Sequence, residues 1–185
     1  MEPRQVVAAN RLIERLMRTV LDLAPGAARV RLTRLRDGAG WPAYDVTHSV
    51  AARGRWIGAI RRNQPLSDWR DFLPALLAGQ CALHRIGELR SAAPAFGFPS
   101  ARSSRVLVCP VTSGGGSLMG AIFIVWDGDA WDGDEWDGDA GPPERAAPRR
   151  LMLAAKRLAT QIEAVLDLCD ALARPDADER IRQVA

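Results

Sequence analysis

Residues 105–125 decide the fold, because RVLVCPVTSGGGSLMGAIFIV holds two apolar runs joined by a short glycine-rich link. The runs, Arg105–Val111 and Leu118–Trp126, are rich in β-branched residues, and the link TSGGGS at 112–117 has the composition of a hairpin turn. Near-continuous apolarity indicates strands in the middle of a sheet that is covered on both faces. We therefore predict a buried β-hairpin at the centre of the molecule.

Two amphipathic helices are predicted near the ends of the chain. Apolar residues over 4–24 recur at steps of three and four, which puts them on one face of a helix that Pro25-Gly26 ends. This first stripe comprises Val6, Ala9, Ile13, Leu16, Val20 and Leu23. The same spacing runs for three heptads near the other end, at Leu151, Ala155, Leu158, Ile162, Val165, Cys169 and Leu172. Each helix therefore has a face suited to packing against a sheet.

Three further strands are expected ahead of the hairpin, at 28–36, Tyr44–Ala51 and Arg55–Arg61, as an antiparallel meander. In the first of them, arginines alternate with Val30 and Leu32. This alternation predicts that the arginines lie on a solvated side of the strand. No nucleic-acid-binding motif accompanies them, so contact with nucleic acid is not expected.

The sequence between the meander and the hairpin predicts one helix, followed by an irregular segment. A helix is expected over Ser67–Leu77, with Ser67 as its N-cap. Pro74 is awkward there, because a proline in a helix interior removes a hydrogen bond. Residues 80–103 are expected to be irregular.

Length and composition predict one domain. The 185 residues are 48% hydrophobic, which is enough for a packed core. Neither a membrane span nor a signal peptide is recognisable, so a cytoplasmic location is expected. We assign residues 1–175 to the domain, 176–185 to a polar tail, and 127–143 to an acidic loop, which holds all but the first residue of the repeat WDGDA, WDGDE, WDGDA that begins at Trp126. Deleting Trp131–Ala140 is expected to leave stability nearly unchanged, since long surface loops cost little closure entropy.

The second half of the chain resembles the GAF family of small-molecule sensor domains. Residues 102–111, RSSRVLVCPV, are similar to that family's RS-x-L-x-x-PV strand, and residues 118–125, LMGAIFIV, to its lxGxlxl strand. Residues 158–165, LATQIEAV, are similar to its closing helix. The resemblance implies an α+β fold (α/β in the broad sense) with a central antiparallel sheet and long N- and C-terminal helices on one face. It also implies a ligand pocket on the opposite face, within residues 56–110.

Aromatic residues concentrate in the region where the resemblance implies a pocket. Ligand pockets are lined mainly by apolar and aromatic groups with a few polar ones. We therefore expect one shared cavity, with plain core as the alternative. Its candidate lining residues are Trp56, Trp69, Phe72, Cys81, His84 and Cys109.

Several specific chemistries are not supported by the residues present. Phytochrome-like members of the family attach a bilin to a cysteine followed by histidine, whereas Ala82 follows Cys81 here. Cys81-x-x-His84 supplies two ligands, fewer than a zinc site needs, so no metal site is predicted. Neither a catalytic triad nor any other catalytic residue is predicted, and the cofactor is left open. The three cysteines form no disulfide framework and are interpreted as buried small hydrophobes.

The predicted function is that of a sensor or regulatory module, not an enzyme, acting as a homodimer that signals to a separate output protein. One alternative is a protein-interaction scaffold without a ligand. A second is a small redox enzyme of the free methionine sulfoxide reductase type, using Cys81 and Cys109. No membrane partner is expected.

The dimer prediction rests on apolar residues that lie off the helix stripes, where a single sheet could not cover them. They are Leu12, Met17 and Leu21 on the first helix and Leu153, Leu166 and Leu168 on the last. The helix residues assigned to the interface are Leu12, Leu16, Val20, Leu158, Ile162 and Val165.

Overall fold

A computed structural model describes residues 3–36, 42–55, 60–90, 104–127 and 149–173 of the chain. Their core is a six-stranded antiparallel sheet in the order β3-β2-β1-β6-β5-β4. The strands are β1 (Arg29–Arg36), β2 (Ala43–Ala51), β3 (Gln64–Pro65), β4 (Ala82–Arg85), β5 (Arg105–Thr112) and β6 (Leu118–Trp126). The predicted hairpin is therefore β5–β6, and β1 lies beside it near the middle of the sheet. The predicted α+β fold class is confirmed.

Helices α1 (Pro3–Asp22) and α3 (Arg149–Ala173) cover one side of the sheet, which we call the helix face. The helix face carries aliphatic side chains from the central strands, such as Val30, Leu32 and Ile122. The predicted stripes pack on it through Ile13 of α1 and Ile162 of α3, both buried. The helices also contact each other. Burial of these stripes is what fixes the two helices on the sheet.

The opposite side of the sheet, which we call the aromatic face, is covered by shorter elements. They are a 3₁₀ turn (Leu66–Trp69), helix α2 (Leu73–Leu77) and a second 3₁₀ turn (Ile86–Glu88). Buried residues from these elements pack with those that the strands present on this side: Tyr44, Val46, Trp69, Phe72, Leu76, Ile86, Val106, Val108, Ala121, Phe123 and Val125.

Three predictions between the meander and the hairpin need correction. The helix expected over Ser67–Leu77 is divided, and Pro74 falls in the first turn of α2, where a missing N–H costs no hydrogen bond. Strand β4 lies within 80–103, which was expected to be irregular. Of the strand expected at Arg55–Arg61, residues 56–59 lie outside the described residues. At its described end, the carbonyl of Arg61 accepts from the N–H of Val46 in β2 at 2.7 Å, and the β-ladder with β2 follows at β3.

Strands β1 and β6 approach each other closely at one point of the sheet. A Cβ atom at Gly120 would overlap the backbone carbonyl of Thr33, so this position admits only glycine without a backbone shift. Beside it, the Thr33 hydroxyl donates to the carbonyl of Ala121 at 3.0 Å and accepts from its N–H at 3.2 Å. A buried side chain thus completes the hydrogen bonding of the two central strands.

Most of the acidic repeat lies outside the described residues, which end at Asp127 and resume at Arg149. The indole of Trp126, the first residue of the repeat, is buried on the helix face and donates to the carbonyl of Pro25 at 2.9 Å. Among the described helices, none is both long enough and apolar enough to cross a membrane.

Candidate ligand site on the aromatic face

Three of the six predicted pocket residues come together on the aromatic face. Phe72 contacts the ring of His84 edge-on, with 5.1 Å between ring centroids, and contacts Phe123 at 5.6 Å. Trp69 contacts the same Phe123 ring at 5.8 Å. Trp69 and Phe72 are fully buried, so these rings form a packed cluster. A fourth candidate, Trp56, lies outside the described residues.

Cys81 and Cys109 lie on the helix face, away from that cluster. The reason is strand geometry: successive side chains alternate between faces, so residues three apart, such as Cys81 and His84, point to opposite sides. Cys109 alternates in the same way with Val108, which lies on the aromatic face. The sheet therefore lies between the two cysteines and the aromatic cluster, so Cys81 and Cys109 do not share a cavity with Trp69, Phe72 and His84.

The two cysteines are paired in a disulfide, which corrects their interpretation as separate buried hydrophobes. Ala82 pairs with Val108 in the β4–β5 ladder, so the preceding Cys81 meets Cys109 directly across it. Their Cα atoms are 4.2 Å apart and their positions are separated by 28 residues. The crosslink ties the edge strand β4 to β5 beneath the helices.

Two arginines on the aromatic face were misinterpreted from the sequence. Arg29 and Arg31 were expected on a solvated side of β1, yet they are only 3% and 1% exposed. Because Val30 and Leu32 point to the helix face, the arginines between them point to the aromatic face. The two helices cover one face of β1, and the low exposure of Arg29 and Arg31 shows that the other face is covered as well. No signal in the sequence could have revealed this burial, because an amphipathic strand with exposed arginines shows the same alternation.

Burial and two neighbouring arginines both act on the charge of Arg31. Burial, together with repulsion from Arg29 and Arg61, lowers the pKa of Arg31 to about 10. The carboxylate of Asp127 opposes this shift, but it is also bound to Arg29, whose Nη2 donates to its two oxygens at 2.8 and 3.1 Å. Two nearly fully buried arginines thus lie on this part of the face, and one of them is bound to the carboxylate of Asp127.

Tyr44 links the guanidinium region to the aromatic cluster. Its ring is buried and lies 5.0 Å from that of Trp69, centroid to centroid. Its hydroxyl is 3.0 Å from Oδ2 of Asp68 and donates to that carboxylate. Burial, and then the charge of Asp68, raise the pKa of Tyr44, so the phenol stays protonated and acts as a donor. The aromatic face therefore offers apolar rings, cations and a fixed hydroxyl side by side.

In the part of the chain that the structure describes, no group of three or more histidine, cysteine or acidic residues is placed to hold a metal ion.

The residues assigned to a dimer interface divide between core and surface. Val20, Leu158 and Ile162 are buried within the protomer, Leu16 and Val165 are partly buried against the helix-face core, and Leu12 is 44% exposed. The argument from off-stripe residues also needs correction, because Met17 and Leu166 are buried and Leu21 is partly buried. Leu153 does remain 52% exposed, and the side chain of Leu168 lies outside what the structure describes.

An apolar groove of about 380 Å³ lies between α1 and α3 on the outer side of the helices. Its lining residues are Leu16, Thr19, Val20, Leu23, Leu153, Ala154, Arg157, Leu158 and Gln161. Leu23 at one wall is 54% exposed. The groove is thus a surface on which apolar side chains of both terminal helices reach solvent.

Comparison with known proteins gives matches at the level of structure alone. No family model matches the chain, and no curated protein matches it. Among solved structures, the GAF domain/HD domain protein of Geobacter sulfurreducens aligns with a TM-score of 0.60 at 14% identity, covering 90% of this chain and 97% of that one. The blue-light absorbing PixJ GAF domain of Thermosynechococcus elongatus aligns with a TM-score of 0.58 at 15% identity, covering 94% and 95%.

A third similar structure is GAF3 of Slr1393 from Synechocystis, in its photoproduct state, with a TM-score of 0.55 at 15% identity and coverage of 90% and 98%. These alignments span nearly the whole of both chains, so they include the sheet and the terminal helices together. At sequence identities this low, the similarity supports a shared fold and gives no information about the ligand. The resemblance drawn from residues 102–111, 118–125 and 158–165 is confirmed at that level: this chain has the fold of a GAF domain.

Proposed function

We propose that this protein is a small-molecule-sensing or regulatory GAF-like module in which the aromatic face takes up a ligand. The observation that carries the proposal is the composition of that face. A purely structural face would be closed by apolar side chains, as the helix face is, whereas here Arg29 and Arg31 are buried, and Arg31 pairs in the sheet with Phe123. Burying charge is costly, and it is usually retained where it serves binding or catalysis.

The finer parts of the proposal concern assembly and output. We propose a homodimer formed through α1 and α3, with the groove between them at or near the interface. Burial of a leucine contributes roughly 1.5–3 kcal/mol, so Leu12, Leu23 and Leu153 from each protomer would supply a substantial share of a dimer's stability. A ligand on the aromatic face would act through the sheet on these helices and so on a separate, cytoplasmic output protein.

A scaffold without ligand is the second candidate function. The observation in its favour is the ring-to-ring packing of Trp69, Phe72 and Phe123, which fills the part of the face where aromatic residues were expected to line a cavity. A redox enzyme of the methionine sulfoxide reductase type has the Cys81–Cys109 pair in its favour. The pair lies on the helix face and not beside the proposed ligand, so loss of turnover in Cys81→Ser would be needed to support it.

Native mass spectrometry of the purified protein, combined with its absorption spectrum, tests the sensor proposal. We expect a mass increment from a retained small molecule, or one that appears on incubation with a cell extract and disappears on denaturation. A chain that carries no small molecule under either condition contradicts the proposal and favours the scaffold.

Sedimentation equilibrium at micromolar concentration tests the dimer. We expect a species of twice the 20.1 kDa chain mass. Leu153→Glu should weaken self-association at least about tenfold, because it places a charge in an apolar interface. Leu77→Glu is the matched control, since Leu77 is 71% exposed on α2, away from the terminal helices. A monomer in the unmodified protein, or equal effects of the two substitutions, contradicts the proposed interface.

A further inference from the structure

The Cys81–Cys109 disulfide joins β4 and β5 at a site where the backbone itself brings the cysteines together. The N–H of Ile86 donates to the carbonyl of Ser104 at 2.8 Å, which makes these two residues a hydrogen-bonded pair of the β4–β5 ladder. Pairs alternate along an antiparallel ladder, so Cys81 and Cys109, an odd number of positions further along, form a non-hydrogen-bonded pair. Cα atoms approach most closely at such pairs, and here they are 4.2 Å apart. The same strand register therefore accommodates a disulfide or two thiols.

Strand β4 depends on β5 for its place in the sheet. It comprises the four residues Ala82–Arg85, and β5 is its one partner among the described strands. The pairings of β1 with β2 and β6, and of β6 with β5, do not involve it. A short edge strand of this kind can separate while the rest of the sheet stays paired, because local opening costs less free energy than global unfolding. The disulfide holds one end of β4 against such opening.

Strand β4 also connects two of the elements that cover the aromatic face. Helix α2 precedes it in the chain and the second 3₁₀ turn follows it. His84 of β4 contacts the ring of Phe72, the residue directly before α2, with 5.1 Å between ring centroids. Ile86 of the 3₁₀ turn is buried in the core of that face. A constraint that fixes β4 to the sheet therefore also fixes part of the cover of the aromatic face.

The two sulfurs differ in how an external thiol can reach them. Cys109 lies within β5 and is completely buried, whereas Cys81 is 8% exposed and directly follows residues 77–80, which are all exposed. Thiol–disulfide exchange requires a thiolate to approach one of the two sulfurs. Attack at Sγ of Cys81 is therefore the accessible route. In the cytoplasm, where we propose that this protein acts, disulfides are usually transient and serve catalysis or redox sensing.

We propose that the Cys81–Cys109 pair is a reversible redox switch that controls how firmly β4 and the cover of the aromatic face are held. A dithiol reductant supplies the two electrons: one of its sulfurs attacks Sγ of Cys81, the S–S bond breaks, and Cys109 leaves. Its second sulfur then displaces Cys81, so the reductant becomes a disulfide and its two thiol protons end on the cysteines. The reverse exchange restores the crosslink. This inference goes beyond the proposed function, because it holds whether or not the aromatic face binds a ligand.

Hydrogen exchange of the full chain, measured by mass spectrometry in the disulfide form and the dithiothreitol-reduced form, tests the switch. After reduction, we expect amides of Ala82–Arg85 and Leu73–Leu77 to exchange at least about tenfold faster, and those of Leu118–Trp126 to keep their protection. Reoxidation should restore slow exchange. In the matched control, the double variant Cys81→Ala, Cys109→Ala, the reductant should change nothing. Equal exchange of β4 in both forms overturns the switch, and so does loss of protection throughout the sheet, which would make the crosslink a requirement of the fold.

Single substitutions test the attack at Cys81. Cys109→Ser leaves Cys81 in place, and we expect it to form a mixed disulfide with glutathione disulfide at least about tenfold faster than Cys81→Ser does at Cys109. Peptide mapping locates each adduct, and circular dichroism confirms folding of both variants. Faster or equal reaction at Cys109 overturns the proposed route. If a variant does not fold, hydrogen exchange of the unsubstituted chain still decides whether the switch exists.

Equilibration of the full chain in glutathione buffers of graded thiol-to-disulfide ratio tests reversibility. Alkylation of free thiols followed by mass spectrometry gives the fraction of chains that carry the Cys81–Cys109 bond. We expect this fraction to pass from nearly all to nearly none within the range of buffers, and to be the same from either direction. A pair that stays bonded in the most reducing buffer is a structural crosslink, and a pair that stays reduced in the most oxidising buffer forms no switch. Either result overturns the inference.

Discussion

The helix face and the aromatic face belong to the same six strands, but different kinds of side chain are buried on them. On the helix face, Val30 and Leu32 of β1 meet the aliphatic stripes of two long helices, and the Cys81–Cys109 crosslink joins the edge strand to its neighbour. On the aromatic face, Arg29 and Arg31 of the same strand are buried, and short elements contribute the rings of Trp69 and Phe72. Strand β1 thus stabilises the fold through its aliphatic side chains on one face. On the other face it buries arginines, whose desolvation is unfavourable. The difference teaches that stability and ligand chemistry can be assigned to opposite sides of a single sheet.

The largest expected effect comes from paired substitutions on adjacent residues of β1. Leu32→Ala should lower the free energy of unfolding by about 2–5 kcal/mol, because it leaves a cavity in the aliphatic core. Arg31→Met should lower it less than Leu32→Ala does, because burial and repulsion from Arg29 and Arg61 lower the pKa of Arg31 and so make its charged form unfavourable in the folded state. Urea unfolding measures both. A large loss with Arg31→Met would mean that the arginine stabilises the fold, and the contrast between the faces would break down.

Removal of the crosslink should have the next largest effect and should act on the helix face. Opening a disulfide that joins positions 28 residues apart should lower the free energy of unfolding by roughly 2–4 kcal/mol. We expect this difference between urea unfolding with and without dithiothreitol. The double variant Cys81→Ala, Cys109→Ala is the control, because its stability should not respond to the reductant. Three titratable thiols in the native, unreduced protein would contradict the pairing.

A smaller effect is expected at the junction of β1 and β6. Thr33→Val removes the hydroxyl that bonds both backbone groups of Ala121, and leaving those groups unsatisfied should cost about 1–2 kcal/mol. Thr160→Ala on α3 is the control, because its exposed hydroxyl only adds a bond to the Lys156 carbonyl. Similar melting temperatures for the two variants would show that the buried hydroxyl contributes no more than an exposed one.

The smallest expected effect is a pH dependence on the helix-face side. His48 lies with Nε2 3.2 Å from Oδ1 of Asn10 on α1, and burial lowers its pKa, while Glu14 acts in the opposite direction. Because its folded pKa is below the unfolded value of about 6.5, the unfolded state binds the proton more readily. Stability should therefore fall as the pH drops below that value. His48→Gln should flatten the decline in melting temperature between pH 7 and 5, and an identical slope in both proteins would contradict this assignment.

The main helices and strands could be predicted from the sequence, but the face of the sheet on which each strand residue lies could not. The β5–β6 hairpin and the stripes of α1 and α3 have strong periodicities, and they are where the structure has them. Strand β4 was missed because four residues that include His84 and Arg85 do not form a recognisable apolar run. Such a short edge strand is specified by its pairing with β5 and not by its own composition.

The candidate site shows the same limit. Trp69 and Phe72 could be found from aromatic density, but an almost continuously apolar β5 does not reveal which residues face which side, so Cys109 was assigned to the wrong one. Arg31 was missed because arginines that alternate with aliphatic residues give the same sequence pattern in two cases. One is a strand with a solvated face, and the other is a central strand whose arginines are buried. The two cases differ in whether other elements cover that face of the sheet, and this is a property of the tertiary structure.

The position of β1 beside β6 also bears on how the protein is made. Thr33 and Ala121 are partners in the centre of the sheet although 88 residues separate them. During synthesis, β1 and β2 can form a hairpin early, but Val30 and Leu32 have no neighbour on the other edge until β6 has left the ribosome. Long-range pairings of this kind slow folding, and nascent chains would expose this aliphatic edge to chaperones. The acidic repeat follows β6 in the chain, so changes in its length would not delay completion of the sheet.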